Sequence, residues 1–136
     1  MRFFELKIKT KQKEEIKDIT HLVENLLPKG KGMCFVYLPH ATAGLTINES
    51  ADPGIMKDFL KALKKIAPER EEWLHNKIDN NATAHIKAGV IKPFLAIPFS
   101  KGKLMLGTWQ SIWLCEFDGP RERRIFVVLI EDEKRD

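Results

Sequence analysis

The sequence predicts an α+β fold, a sheet with helices packed on one face. Two observations predict it. The first two-thirds of the chain carries apolar residues at helical spacing, separated by short apolar or alternating runs. The last third reads as β throughout, with turn residues between its runs. The predicted order is β-α-β-α-α followed by a β meander.

Each element has its own signal. Phe4, Leu6 and Ile8 alternate with Glu5, Lys7 and Lys9, the pattern of a strand with one wet face. Ile16, Ile19, Val23 and Leu26 fall at helical spacing, with Asp18 as N-cap and Pro28 and Gly30 as stop. Met33 to Leu38 is a short apolar run and reads as a buried strand. Ser50-Ala51-Asp52-Pro53 opens a second helix with Pro53 in its first turn. Its apolar stripe is Ile55, Phe59, Leu63 and Ile66, and Lys57, Lys61, Lys64 and Lys65 face water. Asp79, Asn80 and Asn81 are capping residues, so a third helix is expected from about Ala82 to Ile91, before Pro93. Phe94 to Phe99 and Lys103 to Leu106 flank Ser100-Lys101-Gly102 as a hairpin. Gly107 to Phe117 reads as one long strand, Asp118-Gly119-Pro120 as a turn, and Arg124 to Glu131 as the last strand.

At 136 residues the chain fits one domain spanning residues 1–136. A domain of this size buries roughly two-thirds of the surface its unfolded chain exposes, so it folds without disulfides or a structural metal. Hydrophobic residues at 43% and charged residues at 31% give a globular balance. Lys and Arg number 23 against 19 Asp and Glu, a net charge of +4 spread along the chain. No basic stripe with stacking aromatics marks a nucleic-acid surface. A small anionic ligand needs only two or three cations and fits this balance better. The two cysteines, Cys34 and Cys115, lie in apolar runs and read as buried free thiols of a reducing compartment. The alternating N-terminus is neither a signal nor a transit peptide, and no apolar run reaches the ~20 residues of a membrane span. The expected location is the cytoplasm, with no membrane partner.

Three places break the scaffold pattern. His40-Ala41-Thr42-Ala43-Gly44-Leu45-Thr46-Ile47-Asn48-Glu49, ending in Asp52, reads as a tight loop after a buried strand. Loops of this kind carry function because a rigid sheet positions them. The bland alternative is a polar loop capping the next helix, with Asp52 at that helix's positive end. His75 is followed by Asn81 and His85, which are four apart and share a helix face. A helical histidine is more often satisfied locally than bound to metal, and no H-E-x-x-H or C-x-x-C spacing is present. The metal reading rests on three of the four histidines lying in unusual polar contexts. In Gly107-Thr108-Trp109-Gln110, a strand would put Thr108, Gln110 and Glu116 on one face, where burial is costly without partners. The opposite face, with Trp109, Trp113 and Phe117, reads as core or subunit interface.

Together these segments resemble the signature of the YjbQ-like family, an uncharacterised family for which the activity name secondary thiamine-phosphate synthase is also used. The resemblance runs through His40-Ala-Thr-Ala-Gly-Leu-Thr-Ile-Asn48-Glu49-Ser-Ala-Asp52-Pro53, His75, Asp79, Asn81-Ala82 and Ala84-His85-Ile86-Lys87. It closes with Gly107-Thr-Trp-Gln110, Leu114-Cys-Glu116-Phe117 and Gly119-Pro-Arg121. It covers nearly the whole chain in order, and Gly-Thr-Trp-Gln is uncommon. Where the family often has Thr after the first histidine, this chain has Ala41, which leaves the rest of the set intact.

The resemblance implies a large mixed, mostly antiparallel sheet, a homotrimer, and a pocket lined by the signature residues. It also implies the reaction: joining a pyrimidine diphosphate to a thiazole phosphate and expelling pyrophosphate, which needs cations on the leaving diphosphate. On that reading the candidate catalytic residues are His40, Glu49, Asp52, His85 and Gln110. The candidate substrate contacts are Thr42, Asn48, Asn81, Lys87, Thr108, Arg121 and Arg124. His40, His75 and His85 are the candidate metal ligands; imidazoles favour zinc over magnesium, and no organic cofactor is indicated. The expected activity is that of a small-molecule enzyme, a transferase or metal-assisted hydrolase acting on a phosphorylated or anionic substrate. The alternatives are a non-catalytic binder of a metal or small ligand in the same pocket, and a nucleic-acid-associated trimer using its Lys-rich helix faces.

Overall fold

The structure is a computed structural model that describes residues 1–70 and 72–132. It has three layers. A five-stranded sheet has the order β1-β8-β3-β5-β6, formed by β1 (Arg2–Lys9), β8 (Glu122–Glu131), β3 (Lys31–Tyr37), β5 (Phe94–Ser100) and β6 (Lys103–Leu104). Behind it lies a three-stranded sheet, β2 (Glu15–Asp18), β7 (Gln110–Glu116) and β4 (Ala43–Glu49). Helices α2 (Pro53–Ile66) and α3 (Ala82–Ile91) cover the far face of the smaller sheet. The α+β class and the helices on one face are as the sequence predicts. The sheet is divided in two, and every pairing among the described residues is antiparallel.

Residue alternation builds the layers. On β7, Ile112 and Leu114 point into the core between the sheets, with Leu45, Val36, Ile125 and Val127. Trp113 and Cys115 point the other way, with Phe117, against Leu63, Phe59, Ala84 and Ala88 of the helices. The Phe59 and Trp113 rings meet edge to face with centroids 5.4 Å apart. Of the Trp-bearing face expected as core or interface, Trp113, Cys115 and Phe117 are therefore core, whereas Trp109, ahead of the strand, is 65% exposed. Both cysteines are buried and free. Burial pushes the Cys34 thiol up to about 11 and Cys115 to about 12, so neither is a thiolate nucleophile near neutral pH.

The second and third helices form as expected. Asp52 Oδ1 accepts from Gly54 N–H at 2.8 Å and Pro53 opens α2. In α3 the small residues Ala82, Ala84 and Ala88 sit on the buried side. A Cβ on Gly44 would fall 2.8 Å from Ile91 Cγ2, so the glycine permits the close approach of α3 to β4. The hairpin between β5 and β6 turns through Lys101 and Gly102, both at positive φ.

Three expectations are corrected. Ile16 and Ile19 do not share a helix: Ile16 packs with the helical layer and Ile19 enters the core between the sheets. Glu15–Asp18 is instead strand β2, paired to β7, and the helix α1 is only Thr20–Glu24. Asp18 Oδ1 accepts from both Thr20 N–H and its hydroxyl, a local turn that separates the two elements. Residues 43–49 form strand β4 rather than a tight loop, because Ala43, Gly44 and Leu45 are buried against β7 and the core. The long strand starts at Gln110, not Gly107, because Gln110 closes a turn: its N–H donates to Gly107 O, and its Oε1 accepts from Gly107 N–H.

The outer face of the five-stranded sheet carries no covering layer among the described residues. One cross-strand row on it is Phe3, Val128, Phe35 and Ala96, and the next is Glu5, Phe126, Tyr37 and Phe94. Phe3 is 62% exposed, Tyr37 46% and Phe94 49%. No helix among the described residues is long and apolar enough to cross a membrane.

Candidate functional site

The end of the molecule where β7 meets β8 is organised by a buried ion pair. Glu116, the last residue of β7, and Arg123 of β8 are both essentially inaccessible to water. Arg123 Nε donates to Glu116 Oε1 at 2.9 Å, and a second guanidinium nitrogen donates to Oε2. The pair joins the two sheets. Thr10 Oγ1 donates to Glu116 Oε1 at 2.8 Å, and Arg123 also donates to Thr42 Oγ1 at 2.8 Å. Asp118 N–H donates to Glu116 Oε2. Every buried side-chain polar atom among the described residues has a partner. Burial alone would raise the Glu116 pKa, but the hydrogen bonds from Arg123, Asp118 N–H and Thr10 outweigh it and hold the carboxyl below its ordinary value.

Two histidine sites hang from this pair. On one side, Arg124 N–H donates to His40 Nε2 at 2.9 Å. Burial, then the positive charge of Arg123, keeps the His40 imidazole below its usual pKa, against the opposing pull of Glu116. The Arg124 guanidinium itself pairs with Glu5 and stacks over Phe126, on the outer sheet face. On the other side, Asp118 Oδ2 accepts from Asn81 Nδ2 at 2.9 Å and from Arg121 at 2.8 Å. Burial works against the Asp118 carboxylate, but these two donors hold its pKa below the ordinary value. Asn81 Oδ1 in turn lies 2.9 Å from His75 Nε2. The His75 and His85 rings meet edge to face with centroids 4.6 Å apart. They line a surface groove of about 540 Å³ together with Glu72, Trp73, Leu74, Ala82 and Ile86.

The sequence-predicted residues thus fall into separate groups. His40, Thr42, Asn81, His75, His85 and Arg121 belong to one hydrogen-bonded and packed constellation around Glu116, Arg123 and Asp118. Asn48, Glu49 and Gln110 lie at the other end of the small sheet, since Ala43 pairs with Glu116 and Glu49 with Gln110. Six residues of strand put these ends about 20 Å apart. There Asn48 Oδ1 accepts from Glu49 N–H, Gln110 Oε1 closes its own turn, Asp52 caps α2, and Thr108 is exposed. Asp52 therefore does what the helix-capping alternative expected of it. Lys87 is 1% exposed, and its ammonium donates to the partly buried Glu14 Oε2 at 2.7 Å, so it is spent on that pair.

Nor do the three histidines form one ligand set within the chain. His40 Nε2 already accepts from Arg124 N–H. Among the described residues no three His, Cys, Asp or Glu side chains gather as a metal-holding group. His75 and His85 alone offer neighbouring imidazoles.

Arg123 and Asp118 escaped the sequence reading. A signal for Arg123 existed: it shares the inward parity of Ile125, Val127 and Leu129, opposite a strand that buries Glu116. Asp118 gave none beyond its place in a turn.

Glu116→Gln should destabilise the fold by about 3–5 kcal/mol in urea at neutral pH, because it leaves the Arg123 charge buried and unpaired. The depressed Glu116 pKa means that the folded state binds fewer protons than the unfolded chain. Its stabilisation is present above the ordinary glutamate value of 4.5 and is lost as pH falls through the folded pKa. The variant should therefore lose less stability on acidification than the natural chain, read from urea midpoints in and below that range.

Residues 4–132 match the model of the family described as UPF0047 protein YjbQ-like. A UPF0047 protein of Archaeoglobus fulgidus is 43% identical over 123 residues, covering 90% of this chain and 97% of the relative. YugU of Bacillus subtilis, also a UPF0047 protein, is 40% identical over 92% of this chain and 96% of its own length. Among solved structures, a YbjQ-like protein of unknown function from Sulfolobus solfataricus superposes with a TM-score of 0.91 at 37% identity. It covers 96% of this chain and 97% of that one. A YjbQ/UPF0047 protein of Clostridium acetobutylicum superposes with a TM-score of 0.87 at 42% identity, covering 93% and 99%. With the family model and these relatives spanning nearly its whole length, the chain belongs to the YjbQ-like UPF0047 family.

Proposed function

We propose that the chain is a cytoplasmic small-molecule enzyme whose substrate is phosphorylated or otherwise anionic, bound in the groove lined by His75 and His85. The observation that carries this reading is the His75–His85 pair, tied through Asn81 and Asp118 to Arg121. Such a pair supplies acid–base groups, and the Arg121 guanidinium, paired with Asp118 but half exposed, lies at the same end of the molecule. Thiamine-phosphate synthesis is the first reaction to test, because a leaving diphosphate needs both. A divalent metal held by the two imidazoles would need further ligands from the substrate or a neighbouring protomer.

We also propose that the protein is a homotrimer. The uncovered apolar face of the five-stranded sheet supports self-association, since contiguous apolar surface of this kind marks contact sites.

His75→Ala and His85→Ala should each abolish turnover of the two thiamine precursors, or binding of phosphate esters by calorimetry, with circular dichroism unchanged. Unchanged activity and binding in both variants would reject the groove. By light scattering the natural chain should have three times the protomer mass, and Tyr37→Asp should reduce it to the protomer. A monomeric natural chain would reject the assembly.

A further inference from the structure

The hydrogen-bond chain behind His75 has a chemical polarity. The Asp118 carboxylate only accepts hydrogen bonds, and the Arg121 guanidinium only donates them. Asp118 Oδ2 takes one bond from Arg121 at 2.8 Å, and Arg121 Nε anchors on Asp118 O at 2.7 Å. The carboxylate is thereby fixed, and it faces the Asn81 amide at 2.9 Å. Only the NH2 group of that amide can satisfy it, so the Asn81 oxygen faces His75. That oxygen lies 2.9 Å from His75 Nε2 and can only accept. The ring nitrogen must then carry the hydrogen. Asn81 is itself buried, which makes the reversed amide, with NH2 against Nε2–H and oxygen against carboxylate, a doubly mispaired state.

We infer that Asp118, held by Arg121, is a positioning residue that fixes His75 in the tautomer with hydrogen on Nε2. Nδ1 is then the nitrogen that His75 offers to the groove it lines. This inference deepens the reading of the groove as a ligand site and rests on it. When the ring is neutral, Nδ1 presents a lone pair there, and in that state the ligand class is a phosphorylated molecule that meets the ring with a hydroxyl, from an alcohol or a protonated phosphate. A fully ionised phosphate oxygen against the same nitrogen would be repelled. With His75 neutral, the groove thus selects among anions by the donor they carry.

The experiment is long-range 1H–15N NMR of the 15N-labelled full chain without ligand, at a pH above the imidazole range. His21, which is exposed, serves as internal reference for an unconstrained ring. His75 should be almost wholly the Nε2–H tautomer, biased by roughly ten-fold or more relative to His21, the scale set by mispairing a buried polar group. Asp118→Asn should keep that tautomer, because Arg121 still selects the amide oxygen. Asp118→Ala should move His75 toward the His21 mixture. Hydrogen on Nδ1, or a His75 mixture matching His21 in the natural chain, would overturn the inference, as would an unchanged tautomer in Asp118→Ala. Adding inorganic phosphate to the same sample tests the ligand site separately. If phosphate leaves His75 and His85 unmoved, the phosphorylated-substrate reading falls, whereas the tautomer stands on the ligand-free spectrum.

Discussion

Glu116 and Arg123 meet where water does not reach, one from each sheet, and the site is arranged around that contact. Removing two charges from water costs several kcal/mol per ion, and their attraction only about repays it. The pair is therefore a poor source of net stability. Its value is geometric. A carboxylate with two oxygens and a forked guanidinium fit together in few ways. Thr10 and Thr42 occupy the directions left over. The end of β7 is thereby pinned to the start of β8, and the turn between them has little freedom.

Both histidine sites inherit that rigidity. His40 is held by the backbone N–H of the residue after Arg123. Asp118 is held by its own N–H on Glu116, and it passes the constraint through Asn81 to His75. Side chains from β8, from the turn at 118–121 and from Asn81 at the N-cap of α3 are thus connected by fixed bonds rather than by loop packing. Groups that must be placed within a fraction of an ångström for acid–base chemistry benefit from such support.

Much of this was legible in the residues. The alternation in Phe4, Leu6 and Ile8, the Asp52-Pro53 helix start and the Asn81 boundary of α3 gave elements that the structure keeps. The misreadings have separate causes. Ile16 and Ile19 mimic helical spacing because two cores lie on opposite sides of the small sheet, and periodicity cannot tell which core an apolar residue enters. Residues 43–49 hid a strand because a small residue such as Gly44 signals a loop, whereas here it makes room for Ile91. For the site, residue type identified His75, Asn81 and His85 as a group. It also drew in Glu49 and Gln110, which strand register places at the far end of the sheet. Lys87 looked like a phosphate ligand by type, and its pairing with Glu14 is a contact across 73 residues that no local pattern reveals.

The central claim, that the ion pair positions the site rather than stabilising the fold, is tested most directly by replacing both partners together. In Glu116→Leu/Arg123→Met no charge is left unpaired, and well-packed apolar substitutes at such sites are often neutral or stabilising. The account predicts urea stability close to that of the natural chain, together with loss of phosphate-ester binding at the His75–His85 groove. A double variant that is stable and binds with natural affinity would contradict it.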